Sequence, residues 1–203
     1  EPSLDGWAFF ENAGGSYTSQ QVLARLDHYY RATKVQPYGF YPASREAGAA
    51  MDLAHRRIAQ ALNVGMDWIH FGPSTSGNTY TLGHAFAGWL KPGDAIVVTN
   101  QDHEANSGAW RRLADRGFTV REWKVDPETG HLDPADLDKL LDSKVRAVCF
   151  PHASNIVGEI NPVREIVQKA KSFGAVTVVD GVSYAPHGLP DLLARAKADP
   201  WAA

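Results

Sequence analysis

Four short stretches of this sequence carry side chains suited to binding and proton chemistry, and each follows an apolar run. "GPSTSGNT" (72–79) places Gly, Ser and Thr directly before a helical pattern. Unpaired N–H groups and hydroxyls at a helix start attract an anion such as phosphate. The same residues also serve as plain caps, with Ser74 or Thr75 accepting from the first turn. "NQDHEAN" (100–106) brings Asp102, His103 and Glu104 together, and "PHASNIVGEINP" (151–162) brings His152, Ser154 and Asn155. "VVDGVSYAPH" (178–187) ends an apolar run on Asp180, with Ser183 and His187 close behind.

The elements that must position these groups follow from hydrophobic period. From Trp68 onward, short apolar runs at 68–71, 95–99, 118–123, 146–150 and 175–179 read as strands. Helical patterns at 77–89, 104–116, 133–142 and 162–173 separate them. Strand–helix alternation of this kind predicts an α/β fold with three α-β-α layers and a mainly parallel sheet. Ahead of it, "WAFF" (7–10) reads as a strand, 19–33 and the pattern from Met51 to Leu62 as amphipathic helices, and the Pro- and aromatic-rich stretch 35–44 as loop. The expected division is an N-terminal segment and helix (1–45), a large domain (46–191) and a short, helix-like tail (192–203).

In open parallel sheets, ligands bind beyond the carboxyl ends of the strands, where all four polar stretches fall. The run 175–179 reads as a fully buried strand, and a buried carboxylate at its tip is costly unless something pairs with it. One ligand satisfies the whole set. It has a phosphate for the helix start at 74–77, a flat ring for His103 to stack on, and a protonatable nitrogen for Asp180. Pyridoxal phosphate has all three, and a carboxylate beside its pyridine nitrogen keeps that nitrogen protonated. The plainer alternative for Asp180 is a strand-end residue bonding nearby backbone N–H groups.

Composition narrows the partners. The chain has 203 residues, 44% hydrophobic and 21% charged, with a net charge of −3 and one cysteine, Cys149. That balance gives no support for nucleic-acid or anionic-membrane binding. No run is apolar enough to span a bilayer, no intrachain disulfide is possible, and a reducing, cytoplasmic setting is expected. Cys149 falls inside the strand at 146–150 and reads as core.

With these residues in place, the sequence resembles the class V aminotransferase family of pyridoxal phosphate enzymes, in its cysteine desulfurase-like branch. "FFENAGGS" is similar to the family's opening strand and turn. "STSG" matches its phosphate-binding turn, which implies Thr75, Ser76 and Gly77 as phosphate ligands. "DHEAN" matches the acidic–His–x–Ala pattern, which implies His103 as the imidazole stacked on the ring. "SNIVGEINPV" implies Asn155 near the ring hydroxyl, and "VVDGVSYAPH" implies Asp180 at the pyridine nitrogen. Where the family often carries Gln or His, this chain has Ser183, a further candidate cofactor contact. The resemblance implies the large domain of the fold-type I enzymes, an amino-acid substrate and a homodimer in the full-length protein. It also implies a Schiff-base lysine some two dozen residues beyond the aspartate. Lys197 comes too early and its context does not match, so the sequence is expected to be the N-terminal half of a longer protein.

Desulfurase or lyase, aminotransferase and epimerase outcomes share one starting chemistry, and the residues do not choose among them. A non-catalytic cofactor-binding or structural module of the same fold is the alternative. A metal-dependent hydrolase built on Asp102, His103, His152 and Asp180 is a weaker one, for want of spaced ligand partners. A nicotinamide-binding domain is weaker still, because no GxGxxG follows a first strand.

Overall fold

The structure, a computed structural model, describes residues 5–12 and 14–188. The tail 192–203, with its helix-like pattern and Lys197, lies outside these residues, as does Ala13 of the opening turn. The described residues divide into two compact units, one within 5–70 and the other within 71–188.

In the first unit, α1 (Gln20–His28) starts at Ser19, whose Oγ accepts the Val22 N–H at 3.4 Å. It runs on as a π-helical turn over Tyr29–Thr33. α2 (Pro42–Leu62) has a proline in its first turn and ends at Asn63, which takes the left-handed conformation with φ 52°. Proline's fixed φ suits a helix start, so the expected loop gives way to helix earlier than its composition suggests. Residues 7–10 form no strand, and Trp7 and Phe10 are 80% and 92% exposed.

The second unit carries the sheet. Its elements are α3 (Thr75–Trp89), β1 (Ala95–Thr99), α4 (Glu104–Arg111), β2 (Thr119–Trp123), α5 (Pro134–Asp138), β3 (Val145–Pro151), α6 (Val163–Ser172) and β4 (Val176–Asp180). All strands pair in parallel, in the order β2-β1-β3-β4. The mainly parallel α/β sheet read from the sequence is therefore present. The expected strand at 68–71 is not: Met66–Trp68 is a 3-10 turn, and residues 69–71 belong to no strand. Trp68 is 67% exposed and Phe71 50%, so the alternation that suggested a strand has no buried face here. α5 is likewise shorter than the expected helix 133–142.

Alternation along β1 and β3 fills both faces. Val97, Val148 and Phe150 pack with Leu137, Ile166 and Ala170 from α5 and α6. Ile96, Val98, Ala147 and Cys149 pack on the other face with Ala87, Trp110 and Leu113, from α3, α4 and the 3-10 turn that extends α4. Each central residue is thus buried on one face or the other, as a covered parallel sheet requires. β4 is different. It is an edge among the described strands, and Val176 is 43% exposed, so the expectation of a fully buried strand is corrected.

α3 and α4 approach closely at Gly83, where a Cβ would stand 3.5 Å from the Ala109 carbonyl oxygen. Gly88, near the end of α3, faces open space instead. Glycine in a helix costs up to about 1 kcal/mol relative to alanine. Gly88→Ala is therefore expected to stabilise the protein by up to about 1 kcal/mol, read as a raised urea midpoint with an unchanged slope.

Candidate functional site

Parallel pairing sends the ends of β1, β3 and β4 to one edge of the sheet. β1 leads through α4 to β2 on one side, and β3 leads through α6 to β4 on the other. The gap between β1 and β3 is thus the point where the winding reverses, and in open α/β sheets the crevice beyond the strand ends at such a point is where ligands bind.

Polar side chains fix the walls of this crevice. The Asn161 side-chain amide donates to Gln101 Oε1 at 2.7 Å and to the Pro151 carbonyl at 2.8 Å. Ser154 Oγ donates to the Gln101 carbonyl at 3.2 Å, and Gln101 Nε2 donates to the Gly130 carbonyl at 2.9 Å. All three side chains are buried, so these bonds hold the loops after β1 and β3 in one arrangement. The His152 N–H donates to the Asp180 carbonyl at 2.7 Å and carries the tie to β4. The His152 ring stacks on Tyr184 at 3.5 Å between centroids. Gln101, Asn161 and Tyr184 escaped the sequence reading. An amide is chemically quiet, but two of them inside strand-end loops, each beside a buried strand, were the available signal.

The expected phosphate turn is the first turn of α3. Ser74 Oγ accepts the Gly77 N–H at 3.1 Å, and its carbonyl accepts the Asn78 N–H at 2.9 Å. Ser74 thus caps the helix, and the N–H groups of Thr75 and Ser76 are left over for an anion. A Cβ on Gly77 would come within 2.9 Å of Pro73 Cγ, so the turn leaves no room there for a side chain.

His103 caps α4. Its Nδ1 accepts the Ala105 N–H at 3.0 Å, which leaves the proton on Nε2 and fixes the plane of an exposed ring. Thr79 joins the two helix starts: its hydroxyl lies 2.5 Å from the Ala105 carbonyl and 3.0 Å from the Thr75 carbonyl. The first turn of α3 and His103 are therefore brought together.

Asp180 ends β4, half-buried, and its Oδ1 accepts the Val182 N–H at 2.8 Å. That bond is the strand-end contact of the plainer alternative for Asp180. Val178 packs with Cys149 on the α3–α4 face. Side chains two apart along a strand share a face, so Asp180 points to that side too. Ser183 lies half-buried in the turn after Asp180, and Asn155 half-buried in the turn that Ser154 organises by accepting the Ile156 and Val157 N–H groups.

Asp102, in the loop after β1, is strongly perturbed. Burial, and then the charge of Asp180, push its carboxyl up to about 7, against the opposing Asn106 hydrogen bond and the Arg111 charge. Burial, with the Asp102 charge added, also holds the Cys149 thiol neutral, in keeping with a core residue. Among the described residues no three His, Cys, Asp or Glu side chains converge as a metal site. No described helix is long and apolar enough to cross a membrane.

Comparison with known proteins gives a consistent picture. The class-V aminotransferase family model matches residues 8–199. An aminotransferase-like protein of Gibberella zeae is 36% identical, covering 94% of this chain and 49% of that protein. A cysteine desulfurase of Serratia proteamaculans is 31% identical, covering 92% and 47%. The crystal structure of a cysteine desulfurase from Escherichia coli superposes with a TM-score of 0.78 at 23% identity, over 91% of this chain and 47% of that one. A cysteine desulfurase from Thermococcus onnurineus gives 0.78 at 26% identity, over 88% and 44%. The chain spans about half the length of the curated relatives it matches.

Proposed function

The chain belongs to the class-V aminotransferase family, and on that premise we propose that the crevice beyond β1, β3 and β4 is the cofactor site of a pyridoxal phosphate-dependent enzyme acting on an amino acid. The reaction falls in the cysteine desulfurase or lyase range, or in that of aminotransferases and epimerases. When bound, pyridoxal phosphate supplies an electron-withdrawing ring that stabilises negative charge on a substrate carbon.

The residues divide the work. Thr75, Ser76 and Gly77 would hold the phosphate through the first turn of α3. His103, its plane fixed by the Ala105 N–H, would lie against the ring. Asp180 would hold a proton on the pyridine nitrogen, and Asn155 and Ser183 would border the ring's hydroxyl side and the substrate side. The hydrogen bonds among Gln101, Ser154 and Asn161 keep this edge from adjusting during reaction, so the charge is in place beforehand. A cytoplasmic homodimer is part of the same proposal and rests on the family alone.

The observation that carries this reading is the Thr79 link. It sets the phosphate-type turn of α3 beside the candidate ring-stacking histidine, at the sheet edge where Asp180 ends β4. In the full-length protein Thr75→Ala is expected to weaken pyridoxal phosphate binding roughly tenfold, about one charge-assisted hydrogen bond. Saturating cofactor should restore most of the activity. Unchanged affinity in a titration would place the phosphate elsewhere.

A further inference from the structure

Asp180 ends a strand with one neighbour among the described strands, so little sheet lies beside it to hold the turn that follows. Val182 in that turn is 60% exposed. Yet the Asp180 carboxylate takes its direction from the turn, because its Oδ1 accepts the Val182 N–H at 2.8 Å. Two further bonds shape the segment: the Tyr184 and Ala185 N–H groups donate to the Gly181 carbonyl at 3.1 and 2.8 Å. A short exposed turn opens easily unless its far end is tied down as well.

His152 supplies a tie at each end. Its N–H donates to the Asp180 carbonyl at 2.7 Å, which fixes the near end. Its ring lies on Tyr184, with centroids 3.5 Å apart and planes 18° from parallel, which fixes the far end. His152 is itself held. It is buried, and its carbonyl accepts the Asn161 N–H at 2.9 Å. The Asn161 side chain is bonded in turn to Gln101 and to the Pro151 carbonyl.

We propose that Tyr184 is a positioning residue for Asp180: seated on the His152 ring, it clamps the turn that presents the Val182 N–H to the carboxylate. The order of the buried amides thereby reaches the half-buried Asp180 through one ring contact. Release of the ring would free Val182 to swing, and Asp180 Oδ1 would lose both a donor and its direction. Tyr184 acts through its ring face and not its hydroxyl, so phenylalanine can stand in for it. That the positioned carboxylate then serves a pyridine nitrogen rests on the cofactor reading; the clamp does not.

The test is site-resolved amide exchange in the ligand-free full-length protein, as the wild type, Tyr184→Ala and Tyr184→Phe. Tyr184 is half-buried and belongs to neither core cluster, so both variants are expected to fold. An aromatic pair shifts a local equilibrium by about two- to tenfold. Exchange of the Val182 amide should therefore speed up by roughly that factor in Tyr184→Ala and match the wild type in Tyr184→Phe. The Val148 amide, in the middle of β3, should exchange alike in all three proteins; a general loss of stability would speed it too. Unchanged Val182 exchange in Tyr184→Ala, an equal rise in Tyr184→Phe, or a rise at Val148 matching that at Val182 would overturn the clamp. A pyridoxal phosphate titration of the wild type decides the cofactor reading separately, since exchange is measured without it.

Discussion

Asp180→Asn in the full-length protein is expected to lower kcat by roughly two orders of magnitude or more, with a smaller loss of cofactor affinity. Asparagine keeps the size of the side chain and an oxygen able to accept the Val182 N–H at 2.8 Å, so the turn after β4 has no reason to move. What disappears is the negative charge. Charge-assisted hydrogen bonds are about twice as strong as neutral ones, and the Asp180 charge would support the electron-withdrawing character that pyridoxal phosphate would supply. The first turn of α3 and His103, the proposed phosphate and ring contacts, are untouched, so much of the ground-state binding is expected to survive. Steady-state kinetics at saturating pyridoxal phosphate measure this loss. An unchanged kcat with an intact fold would reduce Asp180 to a strand-end residue.

Trp110→Ala should destabilise the protein by about 3–5 kcal/mol in urea unfolding. The indole is fully buried on the α3–α4 face and meets the Phe86 ring edge-on at 5.0 Å. Its N–H also orients Asn106, and through it Asp102. Trp110→Phe separates the two roles. It keeps most of the packing, leaves Asn106 Oδ1 without its donor, and should cost about 1–3 kcal/mol. Core and site therefore share this residue: the side chain that fills the layer between sheet and helix also sets the hydrogen bonds behind the crevice.

Where the sequence was legible, local pattern and tertiary setting agreed. "AIVVT" is β1 to the residue, because a five-residue apolar run bounded by Gly-Asp and Asn has one sensible conformation in a covered sheet. "GPSTSGNT" announced the start of α3, and "DHEAN" that of α4, since caps are written in local chemistry. "WAFF" and "WIHF" misled for the opposite reason. Aromatic and β-branched runs become strands only beside another strand, and here they have none among the described residues. The exposure of β4 was also hidden, because a run of valines reads the same in the centre of a sheet and at its edge. At the candidate site, the motif residues were proposed from type and order. Asp102 entered as the acidic residue of "DHEAN" and as a possible metal ligand, because the burial of a loop carboxylate and its unpartnered oxygen are seen only in the folded chain.

The proposed chemistry depends on Asp180 keeping a proton on the ring nitrogen of a cofactor whose phosphate lies at the start of α3. Nitrogen NMR can watch that proton directly, using pyridoxal phosphate labelled at the ring nitrogen and bound to the full-length protein, as wild type and as Asp180→Asn. A protonated nitrogen is expected in the wild type and an unprotonated one in the variant, with the phosphorus signal unmoved. The same nitrogen shift in both proteins would remove Asp180 from the ring nitrogen.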